Sequence, residues 1–537
     1  MDSYRIAWAL LSAALLCCGG GDDGTAGTSS QGGAGGGAGG GTAGNAGSGG
    51  TGGGVLPPPG CGNDLVDMGE ACDGGNLAGQ SCESFPGFKS GNLGCAASCL
   101  AFDLSGCVAG AVVAAASCEH DAVQAAVDQA ADGDIVTVPA GSCSWSAPVD
   151  VSKGLLIRGA GEDQTLVTAA AADLFEVQGA GAAVRVSGFG FGGNAPWAYL
   201  HFDGAYSNVR VDHCRFDGVL GSRGVILNYQ GEAAIVALFD HLTITIADWK
   251  IFLAVYGMNG AWNEPDDFGT ARFVYLEDLD FRGDGLATDV VDGECGARFV
   301  VRHSELLNGM VMFHDTGSTP ECRSTRLVEV YGNHFACDLD NCGWTAMSFR
   351  GGSGAFHDNV IDRNPGGYDD GAATQLWRSY DEGGVPFNSL CDGIPDRICG
   401  DFSSHCGDGD HPACRGDWEC STGTCSINAC TSNADCGSEA FCLEKLDGHQ
   451  DASGWPCRDQ TGRGMDDPTT HEQASLPAYW WNNLDQNGDA MGVIINDHGL
   501  PSFPFIIEGR DFLYQEKPDY VAYAYPHPLT LAEPGRL

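Results

Sequence analysis

The chain has 537 residues, 82 of them Gly and 25 Cys, and only 18% are charged. Its 26 Lys and Arg against 71 Asp and Glu leave a formal charge of −45, a field that repels phosphate backbones and excludes nucleic acid as a partner. A hydrophobic fraction of 43% excludes wholesale disorder. The same acidity means that an acidic polymer would need a local Arg patch or a bridging cation to bind.

The N-terminus reads as an export signal. Arg5 precedes an apolar run from Ile6 to Leu16, too short to span a bilayer but suited to a signal-peptide core. The run closes in LLCCGGG, which resembles a bacterial lipoprotein signal, in which a Cys becomes lipidated. Cys18 is the better acceptor, because it puts Leu15 three residues ahead of the modified Cys. Cys17, just before it, departs from the usual small residue. Residues 1–17 are thus expected to be a signal peptide and 18–60 a Gly-rich tether. About 40 residues of such composition reach on the order of 35 Å. The expected location is the bacterial cell envelope, as an outer-membrane lipoprotein displayed at the surface, touching the membrane through its lipid anchor alone.

Twenty-five Cys at short spacings fit disulfides formed outside a reducing compartment, and no recurring CxxC pair with nearby His suggests zinc. Six of them, Cys61, Cys72, Cys82, Cys95, Cys99 and Cys107, fall in residues 61–107 and predict a module held by three bridges, with 15 possible connectivities. Its CGN…GE.CD…C pattern resembles short cysteine-rich modules of bacterial surface proteins and reads as a spacer. A second cluster of ten Cys, 391–457, has almost no hydrophobic periodicity and reads as an insertion.

Between these pieces the sequence repeats. VRVSGFGFGG from Val184 and VRVDHCRFDG from Val209 share a register that continues through ALFDHLTI, VYLEDLDF, VVRHSELL, VEVYGNHF and AFHDNVID. The closing apolar column is Phe191, Phe216, Ile244, Phe281, Leu306, Phe335 and Ile361, at spacings of 25, 28, 37, 25, 29 and 26 residues. Five residues earlier stand Val186, Val211, Phe239, Leu276, Val301, Val330 and Phe356, all expected to face inward. The side chains that follow, Ser187, Asp212, Asp240, Glu277, Arg302, Tyr331 and His357, are polar and expected to face outward. Asn333 and Asn359 suggest an interior Asn ladder that Asn483 continues. Repeated short strands with no intervening helices predict an all-β fold, a parallel β-helix over 112–537. DAVQAAVDQAADGDIVTVPAG reads as one amphipathic helix and a strand that cap the open end of the core.

The opening AVQAAVDQAADGDIVTVPAGSCSW…LLIRGAG and the closing YPHPL resemble right-handed parallel β-helix proteins of the pectate-lyase-like superfamily, over roughly residues 112–390 and 455–537. That resemblance implies a polysaccharide as partner, and it spans lyases, glycoside hydrolases, esterases and binding proteins.

A second strand in each coil, YLHFDG, FLAVYG, TDVVDG, VMFHD, MSFRGG and QLWRS, aligns Asp203, Tyr256, Asp292, His314, Arg350 and Arg378 in one outward column. Adjacent coils lie about 4.8 Å apart, so neighbours in the column can interact. An acid, an imidazole and two guanidinium groups side by side suit β-elimination of a uronate. The substrate carboxylate must be neutralised, and a base must take the C5 proton. His314 is the candidate base, Arg350 and Arg378 the carboxylate clamps, and Asp292 an orienting group or ligand of a possible Ca²⁺, no other cofactor being implied. Known lyases of the superfamily often use Arg or Lys as base, so a His departs from their pattern. Arg323, Arg326, Trp344 and Trp377 are candidate substrate-binding residues bordering the groove. Two alternatives stay open: a glycoside hydrolase using a pair among Asp289, Asp292 and Asp315, and a non-catalytic glycan-binding or adhesive lipoprotein.

Overall fold

A computed structural model describes residues 61–534, except 220–222, 230–235, 248–249, 286–287, 315–322, 340–344, 364–367, 376–396, 469–472 and 497–505, and with only short pieces between 397 and 458. Cys18 and the tether therefore lie outside the described residues, as do Asp315, Trp344, Trp377 and Arg378.

The repeat builds a parallel β-helix. Three strands make one coil: Val184–Ser187, Gly190–Asn194 and Leu200–Ala205 form one, and Val209–Asp212 begins the next. Like strands stack into a first sheet of 12 strands, a second of 9 and a third of 10, all in sequence order among the described residues. Both expected inward columns are in register. Phe191 pairs with Phe216, Phe216 with Ile244, and so on to Phe335 with Ile361. Val186 likewise begins an unbroken series that ends at Phe356. Every member of both columns is buried in one continuous core.

The corner between first and second sheets takes a left-handed residue in each described coil from Val184 onward. Gly188, His213, His241, Asp278, His303, Gly332, Asp358 and Asn482 all have positive φ, the side-chain-bearing ones between 49° and 55°. The interior Asn residues satisfy one another across coils. Asn333 Nδ2 donates to Asn359 Oδ1 at 3.0 Å and Asn359 Nδ2 to Asn483 Oδ1 at 2.8 Å. Each also donates to a neighbouring carbonyl, Val301 and Val330 respectively. Ser353–His357 pairs directly with Ala478–Trp481, so the first sheet continues without a break between strands more than 100 residues apart in sequence.

At the open end, helix His120–Gln129 buries Val123, Ala126 and Val127 over the core, as its amphipathic pattern predicts. A Cys118–Cys143 disulfide ties the start of this cap to the first coil. The cysteine-rich module is held by Cys61–Cys99, Cys72–Cys95 and Cys82–Cys107.

Two expectations need correction. The module is not a free spacer: Phe85 and Phe88 share an apolar cluster with Leu238, Phe273, Tyr275 and Val300 of the first sheet's outer face. Gly69 N–H donates to Gly269 O at 2.9 Å where the two backbones meet. Neither position admits a side chain: a Cβ would lie 2.7 Å from Val521 Cγ1 at Gly69 and 1.9 Å from Val521 O at Gly269.

The polar column of the first sheet faces outward from the core, yet it is buried. The C-terminal segment Tyr520–Pro534 lies across it. Arg185 chelates Asp212, Arg210 chelates Asp240, and Arg302 pairs with Glu277. The remaining guanidinium donors reach the overlying backbone: Arg185 to Ala532 O, Arg210 to Leu529 O, and Arg302 to Tyr523 O and Ala524 O. Alternation reads which side of a strand a residue takes, and says nothing about what later packs on that side.

Candidate active site

The third sheet carries the candidate polar column. Its inward positions run Phe202, Leu227, Val255, Gly293, Phe313, Phe349 and Thr374. The residues that follow form the outward column: Asp203, Asn228, Tyr256, Glu294, His314, Arg350 and Gln375. His314 and Arg350 extend the pairing one residue past their strands, His314 N–H donating to Gly293 O and Arg350 N–H to Phe313 O. Glu294, His314 and Arg350 thus stand on three successive coils.

This register corrects two of the aligned residues. Asp292 lies two residues before the column, opposite Ala254 and Met312, with its place in the column taken by Glu294. The reason is steric. The inward position of that strand is Gly293, and a Cβ there would lie 2.5 Å from the ring of Phe299, which fills the space. Apolar alternation therefore leaves no mark at the position that sets the register. Gln375 holds the place assigned to Arg378.

Asp292 and Glu294 share the outward face of their strand, and both carboxylates reach His314. Its Nδ1 stands 3.1 Å from Glu294 Oε1 and 3.4 Å from Asp292 Oδ1. The imidazole keeps 14% of its side-chain surface accessible against 5% for Asp292 and 10% for Glu294, so it is the member a substrate can touch. Nδ1 makes no hydrogen bond with either, so the two carboxylates act on the imidazole by charge, from its Nδ1 side, and Nε2 is the nitrogen left to serve as a base.

Burial pushes Asp292 up to about 6, with Glu294 adding to the rise and His314, Arg350 and Arg223 opposing it. Burial and then Asp292 also hold Asp289 well above the ordinary carboxylate range, against the opposing pull of Arg350. Arg350 is thus electrostatically engaged with the acidic cluster from the C-terminal side. From the N-terminal side comes Arg223, whose Nη2 donates to Tyr256 Oη at 2.9 Å. Sequence reading missed Arg223 and Glu294. Arg223 lies at the start of its strand, outside the aligned column, and Glu294 was displaced by the two-residue register error.

The raised Asp292 has a consequence for stability. Its folded pKa lies above its unfolded value, so the unfolded chain loses this proton first as pH rises. Stability falls between pH ~4 and ~6 and stays lower above. Asp292→Asn removes that loss. Its melting temperature is expected to exceed the parent's at pH 7, with the difference closing below pH ~4, as measured by thermal melts across that range.

Arg323 and Arg326 have their charges engaged by other residues. Arg323 is bidentate to Asp459, bonds Asp466 as well, and stacks 4.6 Å over Trp262. Arg326 is fully buried, paired with Asp266 and also over Trp262. Both cations are consumed by internal carboxylates, which removes them as substrate ligands. Glu329, on the strand that follows, is likewise buried, accepting from Gly269 N–H and Tyr520 Oη.

Ligand atoms of Asp292, Glu294 and His314 lie within 4.8 Å of one another. Two carboxylates and an imidazole match poorly the six to eight oxygens that calcium takes; imidazole in the set suits a transition ion better.

No protein-family model matches the chain, and no curated protein matches it. Among solved structures, an alginate lyase from Paenibacillus sp. str. FPU-7 is similar at a TM-score of 0.29 and 12% identity, covering 49% of this chain and 93% of that one.

Proposed function

We propose that the chain is a polysaccharide lyase, acting on a uronate-containing polysaccharide by β-elimination in the groove of Asp292, Glu294, His314 and Arg350. The observation that carries this reading is the sequence of groups on three successive coils: carboxylate, imidazole, guanidinium. In the reaction, His314 Nε2 removes the C5 proton. The electron pair moves into the C5–carboxylate system, where Arg350 offsets the developing charge. It then forms the C4–C5 double bond as the C4–O4 bond breaks, and the leaving oxygen takes a proton. Glu294 and Asp292 stabilise the imidazolium formed in the first step.

A glycoside hydrolase would place two carboxyl groups on either side of a bond, separated by a gap that holds a sugar ring or a water. Here Asp292 and Glu294 converge on a single imidazole nitrogen, which favours elimination. The test is incubation of the purified chain with a panel of polysaccharides. Ultraviolet absorbance of a new unsaturated uronate supports the lyase; new reducing ends without it mean hydrolysis; retention without products means a binding protein.

The proposal includes export and a lipid anchor at Cys18, supported by the apolar core that ends in Cys and runs into a Gly-rich segment. Metabolic labelling with a palmitate analogue in a bacterial host should mark the protein and lose the mark in Cys18→Ala. A parent chain with both Cys17 and Cys18 intact that takes up no label removes the anchor.

A further inference from the structure

Away from the groove, a cavity of about 230 Å³ lies where the cysteine-rich module, the outer face of the first sheet and the C-terminal segment meet. Its walls include the rings of Phe85, Phe102 and Tyr523. Three further lining side chains, Glu70, Asn208 and His527, are each at most 2% exposed. Each has a buried polar atom without a hydrogen-bond partner among the described residues: Glu70 Oε1, Asn208 Oδ1 and His527 Nε2. Unpaired buried polar groups are costly, and three around one cavity are more than packing alone accounts for.

The remaining bonds of these residues fix what each atom can do. His527 Nδ1 accepts from Leu529 N–H at 3.2 Å, which places the ring proton on Nε2 and makes that nitrogen a donor. Burial, with Arg302 and Arg210 nearby, holds His527 well below its ordinary range, so the ring is neutral. Asn208 Nδ2 is engaged with the carbonyl of Ser84 and with Gln80, leaving Oδ1 as acceptor. Glu70 Oε2 accepts from Asp67 N–H, leaving Oε1. Arg272, the cation at the wall, is paired with Glu264 and Asp267.

We infer that this cavity is a binding site for one uncharged sugar unit, separate from the groove on the third sheet. Hydroxyl groups both donate and accept, as Glu70, Asn208 and His527 require, while the three aromatic rings offer apolar surface to the ring carbons. An anionic sugar finds no unpaired countercharge here and meets the carboxylates of Asp67 and Glu70. A site of this kind gives the module a role in holding carbohydrate that does not depend on the activity of the groove.

Saturation-transfer NMR on the full chain with D-mannose, D-galactose and N-acetyl-D-glucosamine tests this. At least one should bind with a dissociation constant on the order of 1–10 mM. Glucuronate should not bind at this site. Two variants check the location: Asn208→Leu removes an acceptor, and Ala271→Phe fills the cavity from its wall without removing a side-chain hydrogen bond. Binding should weaken at least tenfold in both, and persist in His314→Ala, with an unchanged circular dichroism spectrum as the check on folding. Absence of binding by all three sugars, or unchanged binding in a folded Ala271→Phe variant, overturns the inference. So does a crystal of the sugar-soaked protein with only ordered water in the cavity.

Discussion

Arg302→Ala is expected to destabilise the protein by about 3–5 kcal/mol, because it strands a buried carboxylate. Arg302 is fully buried, with Nε and Nη2 on Glu277 at 2.8 and 2.6 Å, and Nη1 on Tyr331 Oη at 2.9 Å. Its other bonds hold the carbonyls of Tyr523 and Ala524, and its guanidinium lies 4.7 Å over the Tyr275 ring. Without it, Glu277 keeps the His527 N–H as a partner and remains under the C-terminal segment. Two outcomes relieve that charge: the carboxyl protonates, or the segment lifts and lets water in. The second makes residues 520–534 accessible to protease before the helix unfolds. Denaturant unfolding and limited proteolysis of the variant check both. An unchanged midpoint with the segment still protected would contradict this account of the first sheet's outer face. Arg302→Met with Glu277→Leu should recover part of the loss, since an apolar pair needs no countercharge. It cannot restore the two bonds to the segment.

The core of this fold was legible because a β-helix repeats one constraint coil after coil. Phe191 to Ile361 and Val186 to Phe356 are spaced by the coil length, and each position must be apolar for the same reason. Even the interior Asn residues announce themselves, since a polar side chain in an apolar column survives only when stacked neighbours satisfy it. What lies outside a coil has no such period. Arg185, Arg210 and Arg302 look like ordinary surface residues in alternation, and only the return of a segment more than 200 residues away in sequence buries them.

The groove was legible in part for a related reason. His314 and Arg350 follow the inward residues Phe313 and Phe349, which are large and mark the register. Glu294 follows Gly293, whose inward space is filled by Phe299 from the next strand, so the marker is absent. The Arg residues chosen as groove walls failed on charge: in a chain this acidic, a cation close to Asp459, Asp466 or Asp266 is captured internally. Composition shows the surplus of carboxylates but not which of them is near.

In the proposed function His314 is the base of an elimination. Its removal should lower turnover by roughly 10²–10⁴-fold, the range for loss of a general base, with substrate binding nearly unchanged. Arg350→Ala should harm both, because the substrate carboxylate loses a charge-assisted contact in the ground state and its neutralisation in the transition state. Glu294→Gln should lower turnover less than His314→Ala and move the pH dependence, since the carboxylate acts through the imidazole. The direct measurement is the initial rate of unsaturated-uronate formation by His314→Ala and parent at saturating polysaccharide, beside the binding constant of each. A fall of at least about 10²-fold in rate with binding kept is the predicted result. A variant that forms the unsaturated product as fast as the parent would place the base on another coil and contradict the account.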